Sequence, residues 1–223
     1  MVDMIKSKKM ILYASFFTVL AFFLSVSISC TRSAPVITYG YLQLVLYQGE
    51  NGPQEHFSLF LMPEDEDGID NLSELYLYHD REQLRWKINS DDWLHYNKDG
   101  KDWIGTRSIA VAEGELPRGQ YRAVLVNKGG ESSERSFTYD GSVRFGFPEV
   151  EISGGMYNVK SQWPVNSLVC YDLNGNYLST ITLGSLSGSI SSLALPPGTR
   201  TAALWAEDES NFCSAFTNVV SVN

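Results

Sequence analysis

Apolar and polar residues alternate with a period of two along most of the chain after residue 35. The runs YLQLVLY from Tyr41 and YRAVLV from Tyr121 show the pattern, which places every second side chain on the same face of a strand. Turn-forming clusters such as GENGP, KDGK and NKGGES separate these runs. No stretch beyond residue 35 keeps an apolar period of 3.6. The pattern therefore predicts an all-β protein built as a sandwich.

The predicted strands fall into two groups of different composition. Residues 36–142 carry many charged side chains, and residues 143–223 carry few. A chain of this length suits two small domains or one large one. We therefore predict two β-sandwiches in tandem, spanning residues 36–142 and 143–223, the second a little shorter than a seven-stranded domain of about 100 residues.

One phrase occurs twice, as LPRGQYRAVLV from Leu116 and as LPPGTRTAALW from Leu195. In both copies Leu-Pro-x-Gly precedes a β-rich run. Proline lacks an amide donor and glycine tolerates unusual φ, so the pair suits a corner where the chain leaves one sheet for the other. The repeat predicts the same bend in two copies of one β-unit.

Two hairpin signals stand upstream of these phrases, in YNKDGKDW and in YDLNGNYL. Asp-Gly and Asn-Gly pairs favour two-residue turns of type I′. Counting outward from turns at residues 99–100 and 174–175 predicts that Tyr96 opposes Trp103 and that Tyr171 opposes Leu178. The recurrence supports a duplicated unit.

The LPxGxY corner resembles that of bacterial immunoglobulin-like and fibronectin type III-like domains. In those domains a tyrosine hydroxyl bonds back to the backbone upstream, as a tyrosine corner. Tyr121 matches this tyrosine, whereas Arg200 stands at the matching place of the second phrase. The resemblance implies two immunoglobulin-like or fibronectin type III-like sandwiches, and it carries little information about function.

The N-terminus has the form of an export signal, with three lysines ahead of an uncharged stretch from Met10 to Ser29. The stretch ends in Ser-Ile-Ser-Cys, which resembles the lipobox of bacterial lipoproteins, in the looser form of spirochaetes because Ser27 replaces the usual leucine. The resemblance implies a signal peptide over residues 1–29, acylation of Cys30 and a lipidated linker over residues 30–35. The alternative is an uncleaved membrane helix, since about 20 apolar residues span a bilayer. Either arrangement places the protein in the cell envelope, facing the periplasm or the cell surface.

The charge of the chain restricts the classes of partner, and its cysteine content raises the question of a disulfide. The net charge of −9 argues against binding to nucleic acid and against electrostatic attraction to anionic lipid. With Cys30 acylated, Cys170 and Cys213 are left as an even pair. In an oxidising compartment a disulfide could join them, and two buried free thiols are the alternative.

The sequence offers little for catalysis. Its three histidines lack metal-ligand spacing, and it has neither a Gly-x-Ser-x-Gly elbow nor a phosphate loop. The acidic loop at residues 64–70 supplies oxygen ligands for calcium, yet it departs from the EF-hand pattern, so a solvated loop is favoured. We expect no enzyme, no cofactor and no metal.

Aromatic residues give the best candidate for binding. Trp93, Tyr96 and Trp103 flank one hairpin, as a stacking platform for a sugar or a clamp on a protein. The competing interpretation is that they only cover a domain end. We expect a non-catalytic module, tethered by its lipid, that binds a protein or another envelope component. Two alternatives are a carbohydrate-binding module, which needs Trp93, Trp103 or Trp163 exposed, and an accessory or inhibitor subunit that uses the acidic loop.

Overall fold

The computed structural model describes residues 33–222, so the predicted signal peptide and Cys30 lie outside the described residues. From Ala34 onward the chain forms one compact unit. Its strands are β1 (Val36–Gly49), β2 (Gly52–Glu64), β3 (Leu72–His79), β4 (Leu84–Asn89), β5 (Leu94–Lys98), β6 (Lys101–Ile109), β7 (Gly119–Asn127), β8 (Ser132–Tyr139), β9 (Glu149–Ser153), β10 (Met156–Lys160), β11 (Val165–Tyr171), β12 (Tyr177–Thr182), β13 (Ser187–Ser189), β14 (Thr201–Asp208), β15 (Cys213–Phe216) and β16 (Val220–Ser221). Three short 3₁₀ helices are Ile69–Asn71, Ile190–Ser192 and Glu209–Asn211. The prediction of an all-β fold is confirmed.

The first half forms a sandwich of two sheets. Strands β1-β2-β6-β5 make one layer and strands β4-β3-β7-β8 make the other. In chain order these correspond to strands A-B-E-D and C′-C-F-G, the arrangement that immunoglobulin-type sandwiches use. The alternation of β3 and β7 buries Leu75, Leu77, Tyr121, Ala123 and Leu125 between the layers.

The second half repeats the scheme with a smaller first layer. Strands β9, β10 and β13 make a three-stranded sheet, and β12-β11-β14-β15 make the facing layer, with β16 paired to β14. Its core contains Tyr157, Val159, Leu168, Cys170 and Leu204. This half is therefore also a sandwich.

The two halves share one sheet. Strand β1 pairs in parallel with β15, with Leu44 opposite Cys213 and Tyr47 opposite Phe216. This pairing joins two layers into a nine-stranded sheet. The arrangement differs from tandem domains on a linker because the edge strand of each half hydrogen-bonds to the other.

The connection between the halves is packed and not extended. The predicted boundary at residues 142/143 lies in the segment between β8 and β9, whose Val143, Phe145 and Phe147 pack against the first core. Trp163, from the second half, donates its indole N–H to the carbonyl of Gly146 at 2.9 Å. These contacts fix the joint between the halves.

The corner predicted from the repeated phrase is present in both copies. The Tyr121 hydroxyl donates to the carbonyl of Pro117, which is the bond of a tyrosine corner. The two phrases lead into β7 and β14, which hold the same position in their sandwiches. At the second corner, where a tyrosine is missing, the backbone N–H of Arg200 donates to the carbonyl of Tyr171 at 2.8 Å. The repeat thus marks the same bend twice.

The first predicted hairpin is confirmed. Asp99 and Gly100 have φ of 53° and 73°, as a type I′ turn requires. Tyr96 lies opposite Trp103, as counted from the turn.

The second predicted hairpin is wrong in its register. Tyr171 lies opposite Tyr177 and not Leu178, with a bulge after Cys170. The Asp172 carboxylate accepts the backbone N–H groups of Asn174 and Asn176, each at 2.8 Å, which stabilises a longer loop. The two hairpins also occupy different places, since β5–β6 joins strands D and E whereas β11–β12 joins C and C′. The hairpins are therefore not copies of one another.

Candidate binding surface

The β5–β6 hairpin carries two stacked rings on the outer face of the large sheet. The rings of Tyr96 and Trp103 are 6.2 Å apart and nearly parallel, at 3°. Tyr96 is 38% exposed, so the pair is open to solvent. Trp93, predicted to join them, instead packs against the buried core of the first half. Its place just before β5 turns it to the opposite side of the sheet, so two of the three predicted residues meet.

Rings from β1 and β2 extend this pair. Tyr39 meets Trp103 edge-on at 5.7 Å, Tyr41 stacks on Phe60 at 5.6 Å, and Phe60 lies 5.4 Å from Tyr96. Phe60 points outward, yet it is only 1% exposed because neighbouring side chains cover it. We call these five residues the ring patch.

A groove of about 540 Å³ continues the same face across the second half. Within the groove, Phe216 contacts Tyr47 of the first half at 6.1 Å and Trp205 of the second half at 5.8 Å. The groove is lined by Tyr47, Arg107, Val169, Tyr171, Tyr177, Thr180, Trp205 and Phe216. The ring patch and the groove together form the aromatic face. Sequence reasoning missed the groove because its residues come together only through the pairing of β1 with β15.

Arg107 lies between the ring patch and the groove. Its guanidinium is 5.9 Å from the centre of the Phe60 ring, which is within the range of a cation–π contact. Its positive charge also favours the ionised forms of Tyr41, Tyr47 and Tyr171. Burial nevertheless raises the pKa of all three tyrosines. Their hydroxyls are therefore neutral at pH 7 and able to donate and accept hydrogen bonds.

Hydrogen bonds fix the orientation of the Trp205 indole. Its N–H donates to one carboxylate oxygen of Glu207 at 3.3 Å, and the amide of Gln43 donates to the other at 3.1 Å. Gln43 lies on β1 and Glu207 on β14, so this network crosses the joint between the halves. Trp205 is consequently held by the same contacts that hold the sandwiches together.

The three histidines of the described chain lie in separate surroundings. Within residues 33–222, no cluster of three or more histidine, cysteine, aspartate or glutamate side chains could hold a metal ion. His95 bonds to the half-exposed Asp102 at 3.0 Å, and His79 is buried below the Tyr121 ring. His56 packs edge-on against Tyr47, where burial lowers its pKa.

The acidic loop is folded on itself. One Asp65 carboxylate oxygen accepts the backbone N–H of Asp67 and the amide of Asn71, each at 2.9 Å. The loop ends in the 3₁₀ helix Ile69–Asn71. These bonds hold the loop together.

Cys170 and Cys213 are free and buried, so the disulfide considered from the sequence is not formed. They lie on β11 and β15, on either side of β14, and each belongs to a different core. Burial raises the pKa of both thiols, that of Cys213 to about 11. Both therefore stay protonated near neutral pH, as buried structural cysteines do.

A thiol titration tests this arrangement. In the full chain carrying Cys30→Ser, we expect two free thiols to react with Ellman's reagent in denaturant without a reductant, and neither to react in the folded protein at pH 7. The thiols of the folded protein are inaccessible and protonated, which explains the difference. Two reactive thiols only after reduction would show that a bridge exists.

Comparisons with known proteins give neighbours in structure only. No family model and no curated protein matches the chain. Tp47, the 47-kilodalton lipoprotein of Treponema pallidum, is similar at 15% identity and a TM-score of 0.46, over 88% of this chain and 53% of that one. Dimeric latent PorU from Porphyromonas gingivalis is similar at 11% identity and a TM-score of 0.32, over 85% and 20%. Murine CEACAM1b is similar at 8% identity and a TM-score of 0.25, over 82% and 99%.

The chain spans about half the length of Tp47. Among the described residues, no helix is long and apolar enough to cross a membrane.

Proposed function

We propose that the protein is a non-catalytic binding module of a bacterial cell envelope that captures its ligand on the aromatic face. A lipid on Cys30 anchors it, in keeping with the signal and lipobox-like residues that precede this cysteine. The observation that carries the proposal is the aromatic face itself. The outer face of a sandwich sheet ordinarily carries polar residues, whereas this one presents linked aromatic rings around a groove of about 540 Å³.

The construction of the face supports binding over a purely structural role. Tyr96 and Tyr177 are 38% and 62% exposed, at opposite ends of the face. Between them, rings and polar groups alternate on strands whose backbones are paired on both sides. A rigid concave surface with a few polar groups is what small-ligand and interface sites share.

Retention of envelope components tests the proposal. We expect the full lipidated chain, immobilised in detergent, to retain a component of an envelope extract that Trp103→Ala and Trp205→Ala each lose by roughly 30-fold, because a central interface ring contributes about 2 kcal/mol or more. Tyr76→Ala is the matched control. Tyr76 stacks with Tyr78 at 5.8 Å on the other sheet of the first half. Equal retention by all four chains would show that the aromatic face is not the site.

A further inference from the structure

The groove has a single charged residue in its lining, and that residue is a cation. Arg107 is the one charged side chain among the eight that line the groove. The protein as a whole has a net charge of −9, so its acidic side chains outnumber its basic ones. A lone guanidinium at this place is therefore a local exception to the charge of the protein.

Arg107 lacks the carboxylate partners that Arg118 and Arg122 have. Arg118 pairs with Glu55 at 2.7 Å, and Arg122 pairs with Asp80 at 3.1 Å and with Glu134 at 3.3 Å. Within residues 33–222, no ion pair includes Arg107. Its five N–H donors can hold a carboxylate in a bidentate pair, which gives both charge and direction.

The chemistry around Arg107 favours a sugar over a peptide. Strands β14, β15, β1 and β2 run under the face and are each paired on both sides, so a peptide cannot extend the sheet there. The lining holds one aliphatic side chain, Val169, among rings and hydroxyl groups. Flat rings accept the C–H face of a pyranose, and tyrosine hydroxyls bond its hydroxyl groups.

We infer that the groove binds an acidic glycan, with sugar rings stacked on Tyr177 and Trp205 and a sugar carboxylate paired with the Arg107 guanidinium. The inference rests on the proposed function and adds the class of ligand. A glycan chain that leaves the groove past Arg107 meets the ring patch next, so the stacked Tyr96 and Trp103 provide a second subsite for a further sugar ring.

Defined oligosaccharides test the inference. The probes are hexamers of galacturonate, of mannuronate and of hyaluronan, each beside its carboxyl-reduced counterpart. Binding to the full chain in detergent is measured by calorimetry and by tryptophan fluorescence, since Trp103 and Trp205 lie on the face. We expect at least one acidic hexamer to bind about tenfold or more tightly than its reduced form, with an affinity that falls as salt rises.

Variants separate the contributions of charge and of stacking. Arg107→Gln should bind the acidic and the reduced hexamer equally weakly, because only the carboxylate contact is lost. Arg122→Gln is the matched control. Like Arg107, Arg122 lies over an aromatic ring, at 4.7 Å from the centre of the Tyr78 ring, but its charge is already paired. We expect it to leave binding unchanged, and Trp205→Ala should abolish binding of both hexamers.

Two outcomes would overturn the inference. Equal affinity of the wild type for acidic and reduced hexamers would remove the role of the carboxylate and leave a neutral glycan site. Binding to none of the six hexamers would exclude the ligand class. Suppose that no hexamer bound, but that Trp103→Ala still lost an envelope component in the retention experiment. That component would then be of another class, a protein for example, and the proposed function would stand. If neither experiment depended on the face, both proposals would be wrong.

Discussion

Replacing Glu55 by glutamine is expected to reduce the free energy of unfolding by about 2 to 3 kcal/mol, since one partner of a half-buried ion pair is removed while the other stays charged. The Glu55 carboxylate is 9% exposed and holds Arg118 with two bonds, at 2.7 and 2.8 Å. It also accepts the backbone N–H of Leu116, at the start of the corner phrase. Glutamine keeps the shape and loses the charge. Urea unfolding of the full chain in detergent, followed by tryptophan fluorescence, measures the effect.

A surface pair provides the control for Glu55→Gln. Glu149 and Lys160 pair at 2.8 Å with side chains that are 68% and 73% exposed. We expect Glu149→Gln to leave the unfolding transition where it is, because exposed ion pairs contribute little. The double variant Glu55→Gln/Arg118→Met should recover part of the loss, since no charge is then left unpaired. An unchanged transition for Glu55→Gln would mean that the ion pair does not hold the corner.

The pair explains why the corner phrase contains an arginine. Glu55 lies on β2 in one sheet, and Arg118 directly precedes β7 in the other. Besides Glu55, Arg118 donates to the carbonyls of Leu116 and Gly141. Tyr121 closes the same corner from its other side, with its hydroxyl on Pro117. The LPRGQY phrase is therefore a site where the chain changes sheets and is fixed there by one ion pair and one tyrosine.

Local patterns predicted most of the strands, because side-chain alternation reports which face of a strand is buried. The strand predictions fail where a side chain hydrogen-bonds to the nearby backbone, which the alternation pattern does not reveal. The apolar residues of the run SISSLAL from Ser189 predict a strand, but Ile190–Ser192 is a 3₁₀ helix. The Ser189 hydroxyl accepts the backbone N–H of Ser191 at 3.3 Å, which offers the backbone an alternative to a sheet.

The candidate site shows where sequence reasoning ends. The Tyr96–Trp103 pair could be predicted because a two-residue turn sets its register. The groove could not be predicted, since Tyr47 and Phe216 meet through a parallel pairing between the two ends of the described chain. The alternation along β14 and β11 does place Trp205 and Tyr171 on the outer face. Alternation alone does not show whether another part of the chain covers that face. Arg107 lies on β6 between Thr106 and Ile109. The pairing of β6 with β2 is irregular over that stretch.

The ring patch depends on one residue that has no side chain. Gly105 on β6 lies opposite Phe60 on β2. A Cβ added at Gly105 would lie 2.0 Å from the carbonyl oxygen of Leu59 and 2.7 Å from the Phe60 ring. Both distances are shorter than any van der Waals contact. The Phe60 ring can lie against the sheet, below Tyr41 and Tyr96, only because this position is empty.

We therefore expect Gly105→Ala to lower the free energy of unfolding by about 3 kcal/mol, the upper range for overpacking, because backbone as well as side-chain atoms must move. The Phe60 ring should be displaced outward, which separates Tyr41 from Tyr96 and weakens the platform for a ligand. Urea unfolding measures the first effect. The near-ultraviolet circular dichroism of the folded protein measures the second, since stacked aromatic rings contribute to it.

Gly184→Ala is the matched control for Gly105→Ala. A Cβ at Gly184 would have no atom within 4 Å, and its backbone is not left-handed. We expect this substitution to be neutral or slightly stabilising, because alanine restricts the unfolded chain. Loss of stability in Gly105→Ala alone, with an altered aromatic dichroism, would show that the face is a packed part of the fold. Equal stability of the two variants would mean that β2 and β6 can separate to admit a methyl group, and the ring patch would then lack the rigidity on which the proposed site depends.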